Sequence, residues 1–257
     1  MDKITFQSKD GTKLAGVWHL PGQHTDKAII LVHGITVDKD ESGVFVRLAD
    51  TLSDMGYAVF RFDFRGHGES EGRSVDMTIE NELIDLYAAY RLVSTKGYKH
   101  IGLMGASFGG GITALFTGQN QDKLVCACLW NPVLNYDHCF LNPTVPWIQS
   151  RKDHMKTDIA QKGWTTLGSK NFIIGKNLFN DMSKLFPYKT IQTLTIPLLI
   201  IHGNKDTKVP FEDSQTYAAN LKQGQFAAIE GAEHGFHEEP FETQAINITA
   251  DFFKKNL

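Results

Sequence analysis

Five short runs in this chain are apolar at nearly every position: residues 28–33, 57–62, 101–104, 124–130 and 195–202. A strand with one wet face alternates apolar and polar residues, whereas a strand that is apolar throughout is buried on both faces. Between these runs the period changes. Phe45, Leu48, Ala49, Leu52 and Met55 recur at three- and four-residue spacing, as do Ile79, Leu83, Leu86, Tyr90 and Val93; Gly56 and Gly97 close the two stretches. That spacing is the mark of an amphipathic helix. Residues 211–221 and 241–253 read as helices as well, and residues 226–229 as a strand. At the N-terminal end, residues 3–9 and 13–20 flank Asp10-Gly11 in a hairpin pattern. Buried strands alternating with helices specify an α/β fold with a mostly parallel sheet covered on both faces. In such sheets the chemistry lies in the loops that leave the C-terminal ends of strands.

Four of those loops have unusual composition: the ones after His33, Phe62, Met104 and His202. The third is Gly105-Ala-Ser-Phe-Gly109, followed by a helical pattern over residues 112–116. A G-x-S-x-G between a buried strand and a helix is a nucleophile elbow. The two glycines let strand and helix approach closely, and the serine sits on a strained turn with its hydroxyl exposed. Ser107 is therefore the candidate nucleophile.

A serine hydroxyl needs an imidazole to take its proton, and the imidazole needs a carboxylate to fix its tautomer. In an elbow fold these follow in the order serine, acid, histidine. Asp206, in the turn-rich loop after the strand at 195–202, is the expected acid; Asp213, within the next helix, is the alternative. His234, in a glycine-flanked loop after the last strand, is the expected base; His237, nearer the following helix, is the alternative. The developing oxyanion needs two backbone N–H donors. Phe108 should supply one and Ile35, in the loop opened by Gly34, the other. His33 reads as a brace for that loop. His67, in Arg65-Gly-His-Gly-Glu-Ser70, precedes the elbow and so reads as a structural residue near the site rather than a base.

Other chemistries find little support. A net charge of -3 without a Lys/Arg block argues against a nucleic-acid surface. No apolar run reaches the ~18 residues of a membrane span, and the first ten residues lack an apolar signal-peptide core. Neither dinucleotide nor P-loop glycine patterns occur. Three cysteines, Cys126, Cys128 and Cys139, form neither a disulfide framework nor zinc spacing, and suggest free thiols in a reducing cytoplasm. No metal or cofactor is expected.

From Asn131 to about Thr190 the rhythm breaks. Pro132, Pro143, Pro146 and Pro187 punctuate a segment holding Trp147 and Trp164. It is too long for a plain loop. The expected division is a core of residues 1–130 and 191–257, with residues 131–190 inserted as a cap of short helices with room for one small hairpin.

With these residues in order, the chain resembles the α/β-hydrolase superfamily over nearly its full length. The resemblance rests on His33-Gly34, residues 63–70, Gly105-Ala-Ser-Phe-Gly109, His202-Gly-Asn-Lys-Asp206 and Gly231-Ala-Glu-His234. Within the superfamily it looks most like small cytoplasmic bacterial esterases, including cinnamoyl (feruloyl) esterases. It implies an eight-stranded, mostly parallel sheet with a lid after the sixth strand, and a serine esterase acting through an acyl-enzyme on small acyl or aromatic esters. It also implies an acidic residue near the start of the cap that approaches the phenolic end of substrate, for which Asp137 is the candidate. Monoacylglycerol lipase, thioesterase and serine aminopeptidase-like hydrolases are the alternatives; the cap offers Asp137, Asp153 and Asp158 as amine partners for the last. A serine at the elbow excludes the aspartate-nucleophile dehalogenases and epoxide hydrolases, whereas a cofactor-free haloperoxidase would share the triad. A binding module on a hydrolase scaffold would carry a degraded site, and here all three residues are present. The expected partner is a small-molecule ester; nucleic acid and membrane are not expected, and a homodimer stays open.

Overall fold

The computed structural model describes residues 1–168 and 171–257. Its central sheet holds eight strands: β1 (Asp2–Gln7), β2 (Lys13–His19), β3 (Lys27–Val32), β4 (Ala58–Phe62), β5 (His100–Ala106), β6 (Cys126–Trp130), β9 (Leu198–Gly203) and β10 (Gly224–Ile229). Their order is β1-β2-β4-β3-β5-β6-β9-β10. β2 runs antiparallel to both of its neighbours, and every later pairing is parallel. The chain thus has the α/β-hydrolase fold, and the last residues of β3, β4, β5, β6, β9 and β10 share one edge.

The strands are apolar throughout because consecutive side chains feed two cores. Ile30 and Val32 of β3, Phe60 and Phe62 of β4, and Leu103 of β5 face one side. That side is covered by α2 (Ile79–Thr95) and α3 (Ser107–Asn120), which contribute Leu86, Ala89, Val93, Ile112 and Phe116. Ile29, Leu31, Val59 and Met104 face the other side, against α1 (Val44–Asp54) and α9 (Phe241–Asn256). α8 (Phe211–Ala218) is shorter than the residue pattern predicts, ending three residues before Leu221.

Between β6 and β9 lie short elements. A single π-helical stretch, Asp137–Leu141, is followed by α4 (Pro146–Gln149), α5 (Lys152–Lys162), a hairpin of β7 (Trp164–Leu167) and β8 (Phe172–Gly175), α6 (Lys176–Met182) and α7 (Pro187–Ile191). The hairpin lies over the loops that leave β3 and β4. The Phe172 ring is 4.8 Å from that of His67. Among the described residues no helix is long and apolar enough to cross a membrane.

Candidate active site

β5 and α3 meet at Ser107, whose φ of 52° puts a non-glycine residue in the left-handed region. Such backbone costs about 1–3 kcal/mol and persists only where the surroundings enforce it. They do so here. Val133 donates its N–H to the Ser107 carbonyl at 2.9 Å, and α3 begins at the serine itself, five residues earlier than the helical pattern from Ile112 suggests. The run Gly109-Gly110-Gly111 lets this helix pack against β3, β5 and the loop after β6 without side-chain bulk.

The structure brings Ser107, His234 and Asp206 together across three loops at the sheet edge. His234 Nε2 is 3.0 Å from Ser107 Oγ, and His234 Nδ1 is 2.6 Å from Asp206 Oδ2. With the proton on Nδ1, the ring donates to the carboxylate and accepts the serine O–H. Asp206 Oδ1 accepts the backbone N–H groups of Lys208 and Val209, each at 2.8 Å. Its Oδ2 also faces Nε2 of His202 at 3.1 Å. Burial would raise the Asp206 carboxyl, but the His234 charge and the hydrogen bonds of both histidines outweigh it and hold the group well below the usual carboxylate range.

The alternatives have other work. Asp213 pairs with His138 Nδ1 at 2.8 Å, and the exposed His237 makes no hydrogen bond to Ser107 or Asp206. Asp137 is exposed and accepts from the Asn142 amide at 2.8 Å, with no hydrogen bond to Ser107, Asp206 or His234 among the described residues. Asp158 is taken up by Lys162 at 2.8 Å. The three cysteines are buried and free. Burial pushes the Cys126 thiol up to about 12 and raises the other two as well, so none is poised as a nucleophile.

The loop after β3 is pinned by three buried side chains. His33 donates from Nδ1 to the Gly34 carbonyl at 2.7 Å and accepts the Phe64 N–H on Nε2 at 3.0 Å. His67 Nε2 is 2.7 Å from the Ile35 carbonyl. Burial holds both rings below the ordinary histidine value. Glu41 Oε2 accepts the Gly34 N–H at 2.8 Å. Among the described residues, the Ile35 N–H has no acceptor within the protein, and Phe108 is the second residue of α3, where an N–H has no partner inside the helix. A developing oxyanion would require two such N–H donors. The residue reading missed Glu41 and His202. An acidic residue in a polar loop looks like any solvated one, whereas the His202-Gly-x-x-Asp206 spacing was a usable signal for His202.

Two open grooves of about 770 and 520 Å³ lie elsewhere, one beside α2 and one within the insertion between α5 and α6. Ser107 lines neither of them, so the site is assigned on its chemistry rather than on cavity size.

The family described as serine aminopeptidase, S33, matches residues 23–177, more than half of the chain. That span includes Ser107 but not Asp206 or His234, whose assignment rests on geometry. Among curated relatives, the chain is 24% identical over 240 residues to a monoacylglycerol lipase of Mycolicibacterium smegmatis, covering 82% of this chain and 81% of that one. Among solved structures, Est1E from Butyrivibrio proteoclasticus with ferulic acid bound superposes with a TM-score of 0.86 at 20% identity, covering 98% of each chain. A Pyrococcus furiosus esterase superposes with a TM-score of 0.76 at 22% identity, covering 99% of this chain and 91% of that one.

Proposed function

Given that the chain belongs to the serine aminopeptidase, S33, family of α/β-hydrolases, we propose that it is a carboxylesterase working through Ser107, His234 and Asp206. It is a serine hydrolase of the esterase and lipase kind. The finer reading is carried by one observation: a single imidazole spans Ser107 Oγ at 3.0 Å and Asp206 Oδ2 at 2.6 Å.

In the proposed reaction, Ser107 Oγ attacks the ester carbonyl carbon while its proton passes to His234 Nε2. The carbonyl π pair moves onto oxygen, and the oxyanion is met by the N–H groups of Ile35 and Phe108. Asp206 stabilises the imidazolium through Nδ1 without taking its proton. The tetrahedral species collapses, the C–O bond to the alcohol breaks, and His234 returns its proton to the leaving oxygen. Water then repeats the sequence on the acyl-enzyme and releases the acid and free Ser107.

Small acyl and aromatic acids are the proposed acyl groups. Est1E, with its bound ferulic acid, and the aromatic side chains Phe140, Trp147 and Phe172 of the inserted segment support the aromatic option. Residues 131–190 would then act as the cap that selects the acyl group. Buried free thiols suit a reducing cytoplasm.

The test is turnover of p-nitrophenyl acetate and methyl ferulate against aminoacyl-p-nitroanilides, with Ser107→Ala alongside. Ester turnover that falls by a factor of about 10³ or more in Ser107→Ala is expected. Activity on the anilides alone would overturn the esterase reading in favour of a peptidase.

A further inference from the structure

One buried acid beside the nucleophile has no part in the reaction just described. Glu41 is 9% exposed, at the entrance to α1. Its φ is 45°, that of Ser42 is 56° and that of Gly43 is 94°, so three consecutive residues adopt the left-handed region. Two of them are not glycine, and each such residue costs free energy. This strained turn directs the Glu41 side chain inward. There Oε2 takes the Gly34 N–H at 2.8 Å. A Cβ placed on Gly34 would lie 3.3 Å from Ser107 Cβ and 3.4 Å from Glu41 Oε1, so the carboxylate and the nucleophile flank the same residue. His234 is also close enough for its charge to act on the Glu41 carboxyl.

We propose that Glu41 is a positioning residue for the oxyanion hole: by holding the Gly34 N–H it fixes the loop so that the next N–H, that of Ile35, stays aimed at the Ser107 oxyanion. The hydrogen bonds around the loop support this division of labour. The Gly34 carbonyl goes to His33, the Ile35 carbonyl to His67, and the Gly34 N–H to Glu41. Of the backbone polar groups of Gly34 and Ile35, the Ile35 N–H is the one left without a partner among the described residues. Without Glu41, the Gly34 N–H has no acceptor, and the 33–34 peptide can rotate to find one. The adjoining 34–35 peptide, which carries the Ile35 N–H, turns with it. A donor that must be reoriented during the reaction loses its preorganisation, which appears in kcat rather than KM. The inference rests on the esterase reading of Ser107.

The experiment uses the full chain, p-nitrophenyl acetate kinetics, and the rate at which a fluorophosphonate labels Ser107. The variants are Glu41→Leu, Glu41→Gln and Glu41→Asp. Leu fills the space but cannot accept the Gly34 N–H. Gln keeps an accepting oxygen without charge. Asp keeps the charge but withdraws it by one methylene. In Glu41→Leu, kcat and the labelling rate should each fall about 10- to 100-fold with KM within about threefold, short of the 10²–10³ for losing an oxyanion donor outright. Glu41→Gln should restore most of that loss. If Glu41→Leu does not fold, Glu41→Asp decides in its place, with a fall in kcat expected on the same grounds. An unchanged kcat in Leu, or in Asp where Leu is unfolded, overturns the proposal. So does a Gln variant as slow as Leu, since charge and not the hydrogen bond would then be at work. Wild-type labelling separates the two readings: an unlabelled wild-type Ser107 removes the esterase assignment itself, whereas labelled wild type with an equally fast Leu variant removes only the role of Glu41.

Discussion

His202 faces Asp206 Oδ2 through Nε2 at 3.1 Å, sharing the oxygen that accepts His234. His202 is fully buried, and its Nδ1 lies 2.7 Å from the hydroxyl of the equally buried Ser214. With Ser214 donating to Nδ1, the ring carries its proton on Nε2 and gives it to Asp206. The carboxylate is then held from four directions, by two histidines and two backbone N–H groups. A hydrogen bond to a charged group contributes about 1.5–3 kcal/mol. His202→Leu should therefore lower kcat/KM for p-nitrophenyl acetate about 10- to 100-fold, and His202→Gln, whose amide can still donate, distinctly less. Equal losses in both variants would show that the donor itself is not what matters.

Glu41 also makes folding stability depend on pH in a distinctive direction. Burial raises its carboxyl from 4.5 to about 7. A carboxyl raised on folding favours the native state when protonated. Below 4.5 there is no penalty; between 4.5 and 7 the unfolded chain ionises first and stability falls; above 7 the full loss, about 3 kcal/mol, is in place. Glu41→Gln cannot ionise. Denaturant unfolding should find it more stable than wild type by about 3 kcal/mol at pH 8, narrowing to about 1 kcal/mol at pH 5. A gap of equal size at both pH values would contradict the buried ionisation.

The frame and the cluster of Ser107, His234 and Asp206 were legible in the sequence for the same reason: both are local. Strands 28–33 and 57–62 declare their burial by composition, and Ser107, Asp206 and His234 each sit in a short glycine-marked loop whose chain order is fixed by the fold. His33 was readable as a brace and His67 as a structural residue near the site, although not which carbonyls they hold. Glu41 was invisible, because its burial depends on a turn of three left-handed residues that no pattern around Asp40-Glu-Ser-Gly43 demands. His138 pairs with Asp213 across 75 residues, a contact that exists only once the insertion has folded back on α8. The insertion read as short helices with a small hairpin, but the bounds of those elements were illegible, for a related reason. α4 and α7 have four and five residues, too few turns for a helical period to emerge, and their stability comes from tertiary packing.

Arg65 and Asp85 form a second test of how the loop after β4 is anchored. Asp85 is fully buried, and its two oxygens take the Arg65 N–H, Nε and Nη2 at 3.1, 2.9 and 2.6 Å and the Ser8 hydroxyl at 2.6 Å. Removing one partner of a buried pair leaves an uncompensated charge and costs about 3–5 kcal/mol. Asp85→Ala should lose that much in urea unfolding. Asp10→Ala removes the other charged partner of Arg65; the Asp10 side chain is 47% exposed, and its loss should cost under about 1 kcal/mol. Similar losses in the two variants would mean that Asp85 is not the anchor.

Gly109 is where α3 meets the end of β3 and the loop that follows it. It lies in the first turn of α3, where helix propensity alone would favour alanine by about 0.5–1 kcal/mol. The neighbours reverse that sign. A Cβ on Gly109 would fall onto the His33 carbonyl oxygen and lie 2.6 Å from that of Val32. Both are backbone atoms at the end of β3, so neither can swing aside as a side chain would. To admit the methyl group, α3 must move away from β3, which separates Ser107 from the Ile35 N–H. A misplacement of about 1 Å at a reacting centre costs about 10² in rate, and overpacking costs about 1–3 kcal/mol. Gly109→Ala should thus lower kcat about 100-fold and lower the unfolding midpoint. Gly22→Ala, where an added Cβ meets nothing within 4 Å, should change neither. A Gly109→Ala enzyme with wild-type kcat would mean that the spacing between α3 and β3 does not set the oxyanion geometry.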